Sequence, residues 1–274
     1  MATASGQALI NQINHLTVPP ESLALWALGQ SGFVLKGRDT IAYIDPYLTG
    51  AVNETRRRFH PPIKPEEATN AQIVFCTHEH LDHTDIDTVG PMAAAAPQAI
   101  FVGPANSRDI LLKAGIPEER ILVPVIEQPY TLGGLTFTAI PSAHYGLDFD
   151  PERGYRWLGF IITLNGVTLY HCGDTILYEG LVEKLLRYRF DIACLPVNGR
   201  DWWREQRHLI GNLDAREAVQ LATTIGADVL IPVHNDLFAG NRVNPAILTD
   251  YLDRHAPWQK HHWLQPGELY LYVR

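Results

Sequence analysis

Four residues that could bind metal crowd into one short stretch, at His78, His80, Asp82 and His83, directly after the apolar run Ile73–Cys76. Three imidazoles and a carboxylate so close together are costly to bury unless a cation binds them. His78 and His80 are two residues apart and point the same way in extended geometry. Asp82 and His83 are adjacent and point to different faces. We therefore predict that this loop ligates two neighbouring metal ions, the alternative being a solvated polar loop.

Three further candidate ligands are far apart in the chain but share one kind of position. His144, Asp174 and His234 each follow an apolar run typical of a strand, at Leu135–Ile140, Val167–Cys172 and Val229–Val233. If those strands are aligned, their loops meet at one edge of the sheets. We expect two ligand groups that share a bridging Asp174: His78, His80 and His144 for one metal, and Asp82, His83 and His234 for the other.

Imidazole and carboxylate ligands of this kind suit Zn²⁺, Mn²⁺ or Fe²⁺. Two such ions would lower the pKa of a shared water from about 15.7 to near 7, which gives hydroxide at neutral pH. The expected chemistry is hydrolysis by that hydroxide. Asp82 is the candidate catalytic residue, because it could orient the hydroxide and carry its proton to the leaving alkoxide.

Two polar residues next to apolar strand residues are candidates for holding the metal ligands in place. Asp45 ends a strand before Pro46. It either hydrogen-bonds a ligand imidazole or serves as an ordinary turn residue. His171 alternates with Leu169 and Val167, so it either faces the core as a neutral imidazole or contacts substrate.

Substrate selection is expected in the loop after Ile192–Val197, where Asn198, Arg200 and Arg204 occur. Either arginine could hold a phosphate or carboxylate through two hydrogen bonds, or could pair with Asp201 in a surface loop. The other candidates for lining a substrate pocket are Tyr47, Tyr145 and Asn212.

The elements that must position these residues are short strands separated by glycines, then helices, in an order that the second half repeats. Asn165-Gly166 predicts a hairpin turn. Thr84, with Asp87 three residues later, resembles a capping box that begins a helix. The other predicted helices are Ser107–Ala114, Glu179–Tyr188, Leu213–Ile225 and Pro245–His255. This order favours an α+β fold in which two mostly antiparallel sheets pack face to face with helices outside, as one domain over residues 1–274.

Composition excludes several classes of protein. The 274 residues are 46% hydrophobic and 19% charged, unlike a disordered chain. The net charge of −8 disfavours nucleic-acid binding, and no apolar run reaches the ~20 residues of a membrane span. Cys76, Cys172 and Cys194 are far apart, which predicts buried thiols in a cytoplasmic protein. Six Trp and 11 Tyr leave room for a homo-oligomer interface. The basic run Arg56–Arg58 is either a solvated face or a contact for an anionic substrate or a second subunit.

The order of the seven candidate ligands is similar to that of the metallo-β-lactamase superfamily. This resemblance implies a four-layer αβ/βα sandwich with a dinuclear metal site at one edge. Shorter stretches resemble the L-ascorbate-6-phosphate lactonase-like (UlaG-like) branch: Gly29–Phe33, Ile44–Tyr47, Tyr170–Asp174 and Pro232–Asp236. They imply a lactonase-like hydrolase that acts on a small, anionic, sugar-phosphate-like lactone or ester. The alternatives are a metal-dependent phosphodiesterase and a non-catalytic metal-binding protein.

Overall fold

Two β-sheets face each other in the computed structural model, which describes residues 3–50, 52, 57–144, 146–207 and 211–274. Within those residues the first six strands are β1 (Ser22–Gly29), β2 (Gly32–Lys36), β3 (Ile41–Ile44), β4 (Ile73–Phe75), β5 (Ile100–Val102) and β6 (Ile121–Leu122). The next six are β7 (Pro129–Leu132), β8 (Leu135–Pro141), β9 (Phe149–Asp150), β10 (Gly154–Tyr155), β11 (Leu158–Leu164) and β12 (Val167–His171). The last four are β13 (Ile192–Pro196), β14 (Val229–Val233), β15 (Lys260–His261) and β16 (Leu269–Val273).

Each large sheet is half antiparallel and half parallel. The first sheet has the order β16-β1-β2-β3-β4-β5-β6 and is antiparallel from β16 to β3 and parallel from β3 to β6. The second has the order β15-β14-β13-β12-β11-β8-β7 and is parallel from β15 to β12 and antiparallel beyond. The sheets are therefore mixed, whereas the sequence predicts mostly antiparallel ones. The parallel halves arise where long connections, several of them helical, return the chain in the same direction.

Helices cover the outer face of each sheet, which gives the four layers that the resemblance implies. Among the described residues they are α1 (Gly6–His15), α2 (Ile86–Ala95), α3 (Ala105–Lys113), α4 (Leu181–Leu185), α5 (Trp202–Glu205), α6 (Ala215–Thr224) and α7 (Pro245–His255). None of the helices in the described ranges combines the length and the apolar character that crossing a membrane requires.

The start of α2 differs from the predicted capping box. The N-cap is Asp85, whose side chain accepts a hydrogen bond from the Asp87 backbone nitrogen. The Thr84 hydroxyl donates instead to the His78 carbonyl oxygen at 2.5 Å, so the prediction for Thr84 was wrong. Its side chain therefore contacts the loop that follows β4.

Both faces of the central strands are buried, so these strands are continuously apolar. In β1, Leu23 and Leu25 pack into the core between the sheets, whereas Ala24 and Trp26 pack into a second core beneath α1 and α2. A third core lies between the second sheet and α4, α6 and α7. The three cysteines are free and buried, as predicted.

The strands that precede the candidate ligands end at one edge of the sandwich. β8, β12 and β14 run in the same direction, because β8 and β12 are both antiparallel to β11 and β12 to β14 are parallel. The Leu158 backbone nitrogen, at the start of β11, donates to the Thr77 carbonyl oxygen just after β4 at 3.0 Å. This hydrogen bond joins the two sheets at the edge where the ligand loops begin.

Candidate metal centre

The structure brings all seven predicted ligands together at this edge, in two groups. Within each group, one potential ligand atom per residue lies within 4.8 Å of every other. The first group is His78, His80, His144 and Asp174, and the second is Asp82, His83 and His234. The histidines and Asp82 divide as expected from the sequence, whereas Asp174, expected to be shared, clusters with the first group.

Asp174 contacts histidines of both groups. Its Oδ2 atom lies 3.5 Å from His144 Nε2 and 3.1 Å from His234 Nε2, and its Oδ1 atom lies 3.3 Å from His83 Nε2. The residue before it is Gly173, which has a φ of +60°. A Cβ atom at Gly173 would lie 2.8 Å from the Leu158 carbonyl oxygen. Only glycine therefore allows the chain to bring Asp174 between the two groups.

The donor atoms of the first group fit a cation. Burial lowers the pKa of His78 well below its usual value, although Asp174 partly opposes this, and burial lowers the pKa of His144 to about 4. Both imidazoles are therefore neutral at pH 7, and their Nε2 atoms lie 3.5 Å apart. Ligands at Zn–N distances of 2.0–2.1 Å in a tetrahedral site are separated by about 3.4 Å. The pair is spaced as two ligands of one ion would be.

Two buried atoms that lie between the groups have no hydrogen-bond partner within the described part of the chain, and a cation would fit there too. His83 Nε2 and Asp174 Oδ1 are buried and have no hydrogen-bond partner among the described residues, although they are 3.3 Å apart. Buried polar atoms without partners are uncommon and call for an explanation such as an ion. A divalent cation between these atoms would satisfy both.

The second group combines a carboxylate with histidines that its charge helps to keep protonated, and a bound cation would change these protonation states. Burial lowers the pKa of His234, but the Asp174 and Asp82 carboxylates outweigh burial and raise that pKa to about 9. Burial raises the pKa of the Asp82 carboxyl, but His83 and His234 outweigh it and hold that pKa below its usual value. The carboxylates are therefore ionised, and a metal ion would replace a proton on the histidine.

Asp45 holds His83 in place. Asp45 Oδ2 lies 2.7 Å from His83 Nδ1, and Asp45 also accepts hydrogen bonds from the Thr77 backbone nitrogen at 2.8 Å and the Thr77 hydroxyl at 2.7 Å. Its backbone has a φ of +43°. This arrangement favours the hydrogen-bonding role for Asp45 over a simple turn role, because a carboxylate on one ring nitrogen directs the other toward a metal.

His171 lies beneath the centre and is fully buried. Its Nε2 atom is 2.8 Å from the Ser31 carbonyl oxygen, and its Nδ1 atom accepts from the Gly173 backbone nitrogen at 3.3 Å. Burial lowers its pKa. These backbone contacts favour the core role over contact with substrate.

The two arginines of the candidate substrate loop have acidic partners within the protein. Arg200 donates to both carboxylate oxygens of Glu217 at 2.6 Å, and Arg204 donates to Asp201 at 2.5 Å. Asn198 is buried, and it lines with both arginines a cavity of about 370 Å³. The pairing that was the alternative for this loop is therefore present, although the loop does border a cavity.

Of the remaining candidates, Tyr47 and Asn212 are buried and Tyr145 lies outside the described residues. Tyr47 is buried, with its ring 6.3 Å from that of Phe238 and its face 5.0 Å from the Arg57 guanidinium carbon. Asn212 is buried and donates to Asn198 Oδ1 at 3.2 Å. Tyr145 lies outside the described residues, so its predicted role stays a prediction.

Gln30 also belongs to the centre, although no role was predicted for it. Its side-chain nitrogen lies 2.7 Å from Asp82 Oδ2 and 2.9 Å from His234 Nε2. It lies in the turn between β1 and β2 with a φ of +57°. The sequence does contain one signal for it: Gln30 lies in a turn flanked by Gly29 and Gly32. Glycine or asparagine more often occupies such a turn position.

A family model and several known proteins are similar to this chain in sequence. A family model described as "Beta-lactamase superfamily domain" matches residues 41–235. A "UPF0173 metal-dependent hydrolase" of Methanoculleus marisnigri is 31% identical, over 79% of this chain and 83% of that protein. A protein of Escherichia fergusonii named "Probable L-ascorbate-6-phosphate lactonase UlaG" is 21% identical, over 88% of this chain and 77% of that protein.

A solved structure shows the same fold. Igni18, described as a novel metallo hydrolase from the archaeon Ignicoccus hospitalis, superimposes with a TM-score of 0.71 at 22% identity. The match covers 92% of this chain and 99% of that chain. The family model covers more than half of the sequence and includes every ligand of both groups. This chain belongs to the beta-lactamase superfamily, and it is a metal-dependent hydrolase of that superfamily.

Proposed function

We propose that this hydrolase uses a pair of divalent cations, Mn²⁺ or Zn²⁺, to open a lactone or ester of a small anionic molecule. One observation carries the proposal. The Asp174 carboxylate lies between 3.1 and 3.5 Å from histidine nitrogens of both ligand groups. One carboxylate shared by two groups is the arrangement that holds two cations close together.

The ligand residues define what the chain contributes to the reaction. When bound, the cations supply Lewis acidity toward a carbonyl oxygen and an acidified water. Of the carboxylates of Asp45, Asp82 and Asp174, that of Asp82 is the most open to solvent, with 17% of the side chain exposed. Asp82 is therefore placed to accept a proton and pass it to a leaving alkoxide.

The cavity lined by Asn198, Arg200 and Arg204 supports the anionic part of the proposal. Arg216 and Arg242 line this cavity, and neither makes an ion pair or side-chain hydrogen bond with any other described residue. Arg242 follows Asn241, whose side-chain nitrogen lies 3.2 Å from His234 Nδ1. The Arg242 side of this cavity is thereby linked through Asn241 to one residue of the second ligand group. We assign anion binding to these two arginines rather than to Arg200 and Arg204.

The relative named as an L-ascorbate-6-phosphate lactonase supports a lactone as substrate class. The test is to strip the protein of metal, restore Mn²⁺ or Zn²⁺, and assay sugar lactones with and without a phosphate group. We expect metal-dependent turnover, with a lower KM for the phosphorylated lactones. Arg242→Ala should raise that KM while leaving the KM for neutral lactones unchanged, and Arg254→Ala, an exposed arginine of α7, is the matched control.

Two other results would redirect the assignment. Faster turnover of bis-p-nitrophenyl phosphate than of any lactone or ester would indicate a phosphodiesterase. A metal-loaded protein that turns over none of these compounds would indicate a non-catalytic metal-binding role. Assaying Asp174→Asn beside the wild type would show whether any observed turnover belongs to this centre.

A further inference from the structure

Gln30 has a backbone conformation that glutamine rarely adopts. Its φ is +57°, in the left-handed region, and only 4% of the residue is exposed. Two other residues of the centre, Asp45 and His234, also have positive φ values. Strained backbone conformations of this kind persist where the surrounding structure holds them, and they concentrate at functional sites.

The backbone of Gln30 is held by the loop that carries His234. Its nitrogen donates to Asp236 Oδ1 at 2.8 Å, and its carbonyl oxygen accepts from the His234 backbone nitrogen at 2.9 Å. The β1–β2 turn of the first sheet and the loop after β14 of the second are thereby joined. This link fixes where the Gln30 side chain begins.

The Gln30 carboxamide faces the second ligand group. Its nitrogen lies 2.7 Å from Asp82 Oδ2 and 2.9 Å from His234 Nε2. An ionised carboxylate only accepts hydrogen bonds, so the atom next to Asp82 is the amide nitrogen and the bond is N–H to O⁻. Apart from the imidazoles of the centre, no other described residue donates to this carboxylate. The Gln30 Oε1 atom is buried and has no hydrogen-bond partner among the described residues.

We infer that Gln30 is a positioning residue for the second cation: its carboxamide orients the Asp82 carboxylate beside His234. The inference rests on the proposed pair of cations. Asp82 needs such support because it lies in a loop next to Leu81, which is 60% exposed. A carboxylate held in one orientation binds a cation with less loss of freedom than a mobile one. Gln30 makes no hydrogen bond to His78, His80 or His144, so its effect belongs to the second group.

The test is Mn²⁺ binding to metal-stripped protein, measured by equilibrium dialysis with elemental analysis. Gln30→Met keeps the length of the side chain and removes the donor. We expect the first equivalent to bind within about twofold of the wild type and the second about 10- to 100-fold more weakly. The matched control is Gln259→Met, which removes another buried amide, one that donates to the Ala227 carbonyl oxygen at 3.0 Å, away from the centre. Both equivalents should bind normally to that control.

A second variant separates positioning from folding. Gln30→Gly suits the positive φ and removes the same donor. We expect its thermal unfolding midpoint without metal to stay at or above that of Gln30→Met, while its second equivalent is equally weakened. Unchanged binding of the second equivalent in both variants would overturn the inference, and so would equal weakening of both equivalents. A wild type that binds one equivalent would overturn both the inference and the cation pair, whereas a lack of lactone turnover would count only against the proposed reaction.

Discussion

His83 Nδ1 lies 2.7 Å from Asp45 Oδ2, and both side chains are fully buried. Thr77 holds the same carboxylate through two hydrogen bonds. The other ring nitrogen, Nε2, therefore points toward Asp174 Oδ1 at 3.3 Å. The orientation of this ligand is set by residues at the ends of β3 and β4, so the metal centre depends on the packing of the first sheet.

Replacing Asp45 by asparagine should weaken metal binding by about 10- to 100-fold, because the amide would no longer fix the tautomer and orientation of His83. Dissociation constants for Mn²⁺ and Zn²⁺ would measure the effect. Asp191→Asn is the control, since Asp191 is also buried and accepts a hydrogen bond from the Thr168 backbone nitrogen at 2.8 Å. Equal losses in the two variants would mean that Asp45 acts only through stability.

Asp174→Asn should reduce both metal content and activity, because Asp174 contacts ligands of both groups. We expect elemental analysis to show less than the wild-type metal content, and kcat to fall by more than about 100-fold. Circular dichroism would establish that the variant folds. Asp174→Ala with full metal content and full activity would contradict the bridging role.

Metal affinity should rise with pH as His234 loses its proton near pH 9. In the metal-free protein the carboxylates of Asp174 and Asp82 raise the pKa of His234 to about 9, so this imidazole is protonated at pH 7. A cation needs the neutral ring, so binding at pH 7 must release a proton. Calorimetric titration in buffers of different ionisation enthalpy would count the released protons. His234→Gln should release fewer protons, and an unchanged count would contradict the assignment.

The basic run at residues 56–58 should divide into a structural arginine and a surface one. Arg57 is fully buried and donates to the carbonyl oxygens of Tyr47, Thr49 and Phe59 at 2.7–2.9 Å. Arg57→Met should lower the free energy of unfolding by about 3 kcal/mol, because three buried carbonyls lose their donor. Arg58 is exposed, so Arg58→Met should change it by less than about 0.5 kcal/mol. Denaturant unfolding would compare the two, and equal effects would refute this division. Arg56 lies outside the described residues.

Residue types and local patterns were enough to predict the side chains that cluster at this edge and many of the elements. Helix α7 spans Pro245–His255 as predicted, with Asn244 as its cap. The Asn165-Gly166 turn joins β11 and β12 as expected. Helix α1 is absent from the predicted elements because its start signals are weak: Ser5 makes no capping hydrogen bond, and the helix begins at a glycine. Its stability comes from packing on the first sheet, which a local pattern does not report.

Side-chain chemistry and strand periodicity are local properties, so a reading of short segments identifies the side chains that could bind metal and the apolar strands that precede them. Which loops touch is a property of the complete fold. Sheet order and strand register bring Asp174 into contact with His83 and His234. They also place Gln30 beside Asp82 and pair Arg200 with Glu217. Those are set by the burial of apolar faces over the whole chain, so no short segment carries them.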